Sequence, residues 1–199
     1  MKLPHLGLVA TLLALTGAAP LLPSPSQEVS PPDDEIRSEV LRTAVGERVL
    51  VQEVWVEAPR AAVWEAYTTD DGWTAWASPR AAVDLRVGGT IRTAYGELEL
   101  DDEGANTLHI LNYVPQELLT LRADLSENWP EVLQEDAERL SNVILFEAVS
   151  DEWTRIRSFG IGYGDAPEYE QLMQFFIAGN EALFEDLKRF LEDGERRTW

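Results

Sequence analysis

Residues 168–193, EYEQLMQFFIAGNEALFEDLKRFLED, decide how this chain is read. Leu172, Met173, Phe175, Phe176, Ile177, Leu183, Phe184, Leu187, Phe190 and Leu191 recur with acids and amides between them, at a spacing near the 3.6-residue helical period. A helix this long and this one-sided is not stable alone in water, so its apolar face needs a concave partner. The segments before it read as short strands able to curve into one sheet around it.

Residues 48–57 alternate as a strand, with Leu50, Val54 and Val56 on one face and Val49, Val51 and Trp55 on the other. Pro59 suits the first turn of a helix carrying Ala62, Val63, Trp64, Ala66 and Tyr67. A second short helix over 70–76 has Asp70 as its N-cap and Trp73 and Trp76 on one side. Strands are predicted at 81–86 and 90–95 around the Gly88-Gly89 turn, then at 107–114, 118–123, 142–149 and 153–160. Their short connections favour antiparallel neighbours. The insert 124–140, with Trp129-Pro130, reads as a lid or flap beside the sheet. The run Phe159-Gly160-Ile161-Gly162-Tyr163-Gly164 reads either as a hinge or as a turn that redirects the chain.

Composition narrows the function classes. The 199 residues suit one domain with a real core plus extra sequence at the front. A net charge of −20 argues against nucleic acid and against anionic membrane surfaces, both of which need clustered Lys and Arg. There are no cysteines, which excludes disulfides, thiolate metal sites, cysteine nucleophiles and a lipoprotein anchor. Lys2, the apolar run 6–15 and the small residues Thr16-Gly17-Ala18-Ala19 have the form of an export signal, and the run is short of the roughly 20 residues that span a bilayer. The expected layout is a signal peptide at 1–18, a Pro/Ser-rich linker at 19–40, a folded domain at 41–193 and a tail at 194–199 in which Trp199 is exposed. The mature protein is expected in the periplasm or outside the cell, with no stable membrane span.

The order of elements and several short motifs resemble a known family. Val54-Trp55-Val56-Glu57-Ala58-Pro59 is followed by Val63-Trp64, Trp76 and Val87-Gly88-Gly89. Ile110-Leu111-Asn112-Tyr113-Val114-Pro115 comes next with Leu118 behind it, and the final helix carries Phe176, Asn180 and Leu187. Together they resemble the START-related SRPBCC superfamily, in the branch of the heat-shock-protein-90 ATPase activator homologues, over residues 49–191. The resemblance implies an α+β helix-grip fold: a curved antiparallel sheet of about six or seven strands around a long C-terminal helix, with two short helices after the first strand. It also implies a cavity between sheet and helix, where members of the superfamily bind or transform apolar small molecules. An exported protein does not meet a cytosolic chaperone, so the co-chaperone role is not carried over.

The expected ligand-binding set is Trp76, Tyr95, His109, Phe159, Tyr163, Met173, Phe176 and Asn180. Seven tryptophans could build an aromatic pocket whose indole N–H groups orient a ligand, although Trp64 and Trp76 equally suit packing of the short helices. His109, the one histidine beyond the signal, shares a strand face with Thr107, Leu111 and Tyr113, opposite Leu108, Ile110 and Asn112, and its alternation leaves open which face is inward. Asn180 either contacts a ligand or ties the helix to the sheet. Asp101-Asp102-Glu103 lacks the alternating ligand order of a calcium loop, and no nucleophile elbow, HExxH pair or phosphate loop is present. No catalytic residue, metal or cofactor is therefore assigned.

Three functions follow from the sequence. The first is an exported protein that binds or carries a small apolar or amphipathic molecule. The second is a cyclase- or aromatase-like enzyme in the same cavity, with His109, Tyr95 or Tyr163 as acid or base. The third is an exported interaction module that uses the Trp129 flap and no ligand.

Overall fold

The structure is a computed structural model that describes residues 31–32, 36–125, 130–135 and 137–199. The expected signal segment, most of the expected linker and Trp129 lie outside the described residues. Eight strands form one antiparallel sheet in the order β1-β2-β8-β7-β6-β5-β4-β3. They are β1 Ile36–Arg42, β2 Arg48–Val56, β3 Arg80–Val83, β4 Thr90–Ala94, β5 Asn106–Val114, β6 Leu118–Ala123, β7 Ser141–Ala148 and β8 Thr154–Tyr163. The strand beyond the expected count is β1, which pairs along its length with β2, so residues 36–40 belong to the sheet and not to the linker.

Two short helices, α1 Arg60–Thr68 and α2 Asp70–Trp76, follow β2. Thr69, and not Asp70, caps α2: its hydroxyl accepts from Gly72 N at 3.0 Å and donates to Glu65 O at 2.8 Å, closing the end of one helix while opening the next. Asp70 instead accepts from Val83 N at 2.7 Å, which joins α2 to β3.

Helix α3, Glu131–Glu135, is short; α4, Pro167–Lys188, is the long one and continues as a π-helical turn, Arg189–Asp193, that ends at Gly194 with φ 72°. Pro167 opens α4, Glu168 and Glu170 sit at its positive end, and Lys188 closes it by donating to Trp55 O at 3.0 Å. The inward stripe of α4 is Tyr169, Leu172, Met173, Phe184 and Leu187, all buried. It packs chiefly on β1, β2, α2 and α3, toward one side of the curved sheet. A rod resting on one side of a trough leaves the other side unfilled, and the core divides accordingly. One buried cluster joins α1, α2, the sheet and the end of α4 through Trp64, Trp73, Trp76, Ile110 and Phe184. The other joins Leu50, Leu133, Tyr163, Tyr169, Leu172 and Met173 near the start of α4.

Residues 194–199 are not a free tail. Arg196 forks onto Asp71 at 3.1 and 3.0 Å, Arg197 pairs with the buried Asp186, and the Trp199 indole donates to Thr74 O at 3.4 Å while its ring stands 6.1 Å from Tyr95. Trp199 is half exposed, yet docked on α2. Among the described residues no helix is long and apolar enough to cross a membrane, and no group of three or more His, Asp or Glu side chains gathers as a metal site.

Candidate functional site: a cavity between the sheet and the long helix

The unfilled side of the trough is a half-open cavity of about 490 Å³, walled by the concave sheet face, α2 and the outer flank of α4. Its size suits a drug-sized molecule. Two kinds of wall meet in it.

The aromatic end is formed by Tyr67, Trp73, Trp76, Tyr95 and Phe184. Trp73 and Trp76 stand 5.6 Å apart, and Tyr67 lies 5.0 Å from Trp76 and 5.2 Å from Phe146. Their indole N–H groups do not face a ligand. Trp73 donates to Tyr67 O at 2.6 Å and Trp76 to Ala66 O at 3.0 Å, so both satisfy carbonyls at the end of α1. What they present to the cavity is ring surface.

The polar wall runs across β2, β8 and β7. Gln52, Ser158 and Asn142 occupy inward positions where the neighbouring turns of pleat carry Leu50, Val54, Ile156 and Ile144. Asn180 Nδ2 donates to Gln52 Oε1 at 2.7 Å, and Gln52 Nε2 donates to Ser38 Oγ at 3.0 Å, which pins α4 to the sheet through one amide chain. Ser158 Oγ donates to Asn142 Oδ1 at 2.8 Å. A buried polar stripe of this kind is stable only because its members satisfy one another.

Tyr163 completes that wall through a break in the strand pattern. Between β2 and β8 the pairing runs Arg48 to Tyr163 but Leu50 to Gly160, so β8 carries one extra residue, and Gly162 sits there with φ 92°. This bulge turns Tyr163 to the inward face, where strict alternation from Ile161 would not have put it. Its hydroxyl lies over Gly160: a Cβ built on Gly160 would come within 2.8 Å of that oxygen. Burial pushes the phenol up to about 12, so it stays protonated at neutral pH. The run read either as a hinge or as a redirecting turn is thus the bulged end of a strand, held further by Arg48, whose guanidinium bonds Gly164 O and pairs with Glu170 at 3.1 Å.

Five of the eight expected residues, Trp76, Tyr95, Tyr163, Phe176 and Asn180, line the cavity, and three do not. His109 points to the convex side, where Nε2 meets Asp124 Oδ1 at 2.8 Å near solvent, while Leu108 and Ile110 face the core. A bulge at Leu111, with Ile110 opposite Leu121 and Asn112 opposite Thr120, then reverses the parity and brings Tyr113 inward against Trp64. Phe159 lies on the convex side under the Arg157 guanidinium, 5.8 Å from its ring, because Ser158 and Gly160 take the inward positions. Met173 is fully buried in the second core cluster and packs instead of lining. Sequence reasoning passed over Gln52, Asn142, Ser158 and Tyr67. The signal was a polar residue sitting in phase with apolar inward positions, as Gln52 does between Leu50 and Val54.

A search of curated proteins found no match. Among solved structures, the Aha1 dimer from Colwellia psychrerythraea superposes with a TM-score of 0.59 at 18% identity, covering 73% of this chain and 97% of that one. CalU16 from Micromonospora echinospora gives 0.54 at 20% identity, covering 78% and 82%. DynU16, a protein of the dynemicin biosynthetic locus, gives 0.56 at 21% identity, covering 76% of this chain and 50% of that one. These likenesses show the helix-grip fold. The family model described as "Activator of Hsp90 ATPase homolog 1-like protein" matches residues 57–192, from the end of β2 to the π-helical turn, and the chain therefore belongs to that family within the SRPBCC superfamily.

Proposed function

We propose that this protein binds and carries a small apolar or amphipathic molecule in the cavity between the sheet and α4. The observation that supports this reading is the half-open space of about 490 Å³, with ring surface at one end and hydrogen-bonding side chains along one wall. A core selected only for stability would close such a void, since each unfilled methyl-sized gap costs about 1 kcal/mol. Extraction of the protein under denaturing conditions after purification from its native host, followed by mass spectrometry, tests the reading. A stoichiometric small molecule is the expected result, and a clean apoprotein whose cavity takes up no apolar probe would overturn it.

The N-terminal pattern at 1–18 supports action after export, which the mass of the mature protein in the host's extracellular or periplasmic fraction checks. A cyclase-like reaction is the second reading, favoured by the Tyr163 hydroxyl on the cavity wall and by the fold-level likeness to a protein of a biosynthetic locus. In that reading Tyr163 is the acid group; His109 faces away from the cavity and takes no part.

A further inference from the structure

The polar wall has an imbalance of donors. The Tyr163 hydroxyl makes no hydrogen bond among the described residues, and neither does Asn142 Nδ2, whose partner oxygen is already engaged by Ser158 at 2.8 Å. The two groups are neighbours. Asn142 is the cross-strand partner of Gly160, and the Tyr163 oxygen lies over Gly160, where a Cβ would stand 2.8 Å from it. Glycine at 160 and a left-handed glycine at 162 are the two backbone features that let the phenol reach this point. What this corner of the wall lacks, beside Tyr163 and Asn142, is an acceptor.

Charge restricts what that acceptor can be. No Lys or Arg lines the cavity among the described residues, Asp124 is the one ionisable carboxylate at its margin, and the whole chain carries −20. A carboxylate or phosphate brought here would lose its water with no cation to replace it. A neutral carbonyl oxygen loses less and takes two lone-pair bonds from donors set side by side. We propose that Tyr163 and Asn142 form a carbonyl-binding subsite, and that the occupant of the cavity is an uncharged apolar molecule bearing a ketone, ester, amide or quinone oxygen. The rings of Tyr67, Trp73 and Trp76 receive its apolar body, and Asn180 Oδ1 is left as an acceptor for a hydroxyl on the same molecule. This rests on the cavity-binding reading and goes beyond it by naming the chemical class.

The test uses two uncharged probes of nearly equal shape, 2-acetylnaphthalene and 2-ethylnaphthalene, which differ in one carbonyl. Both are titrated by calorimetry against the wild-type chain, Tyr163→Phe and Gly160→Ala, with far-ultraviolet circular dichroism as the check on folding. Tyr163→Phe is expected to weaken the ketone about tenfold and leave the hydrocarbon unchanged. Gly160→Ala, whose methyl displaces the hydroxyl, is expected to do the same. The infrared carbonyl stretch of the bound ketone should lie lower in the wild type than in Tyr163→Phe. Equal weakening of both probes, or an unchanged ketone affinity and stretch in Tyr163→Phe, would overturn the subsite while leaving the cavity reading intact. If neither probe binds the wild type, the cavity reading falls and the subsite with it.

Discussion

Gly162 shows how much one backbone torsion controls at this site. Its φ of 92° and the approach of Arg139 O, 2.0 Å from where a Cβ would stand, leave room for no side chain. Gly162→Ala is therefore expected to cost at least about 2 kcal/mol of stability, measured by urea denaturation, and to withdraw Tyr163 from the cavity wall. The buried phenols give a second expectation at this scale. Burial raises Tyr163 to about 12, raises Tyr67 further, and raises Tyr95 against the opposing effect of Ser78 and Arg197. Below pH ~10 these phenols are neutral both folded and unfolded; above it the unfolded chain ionises while the folded one resists, so unfolding is increasingly favoured. The phenols' contribution to stability should be flat from neutral pH to about pH 9 and fall between ~10 and ~12, with a smaller fall in Tyr163→Phe, as read from denaturation midpoints and from absorbance of the ionised phenol. Single residues were also where the sequence was least legible. For His109, alternation alone does not say which face is inward, and a bulge at Leu111 puts Tyr113 on the face opposite to it. Phe159 groups with Tyr163 in the sequence, yet the bulge at Gly162, which no alternation pattern marks, sets the two on opposite faces.

At the scale of elements the sequence was far more readable, because helix period and strand alternation follow from burial on one face. The position of α4, the two helices after β2 and the antiparallel run were all legible, and so was the curved sheet around the helix. β1 escaped because Ile36–Arg42 is an edge strand with a mostly exposed, charged pattern, which reads like the linker before it. The polar wall escaped for a related reason: at a cavity the inward face of a strand need not be apolar, so Gln52, Asn142 and Ser158 resembled solvent-facing residues. The α1–α2 junction offers an expectation at this level. Thr69 serves both helices, so Thr69→Ala should lower stability by about 1 kcal/mol in chemical denaturation. Asp70→Ala would instead act by freeing β3 from α2, through the lost bond to Val83 N.

For the whole molecule, the decisive relation is between the rod and the trough. α4 is anchored at its start by the Leu50–Met173 cluster, at Asn180 by Gln52, and at its end by Lys188 on Trp55 O, all on the β1–β2 side. Residues 194–199 then cross to α2 and brace the opposite end of the cavity beside Tyr95. With both ends fixed on one side, the helix cannot settle into the remaining space, and the cavity persists as a consequence of the fold. Ala123 lies on the far wall, facing that space from β6. The direct measurement is a fluorescence titration of the neutral probe N-phenyl-1-naphthylamine against the wild type and Ala123→Trp, with each variant's unfolding midpoint. The account expects saturable one-to-one binding that Ala123→Trp weakens at least about tenfold, with a stability change under about 1 kcal/mol because the indole enters empty space. Absence of saturable binding, equal binding by both proteins, or an overpacking cost well above that value would contradict it.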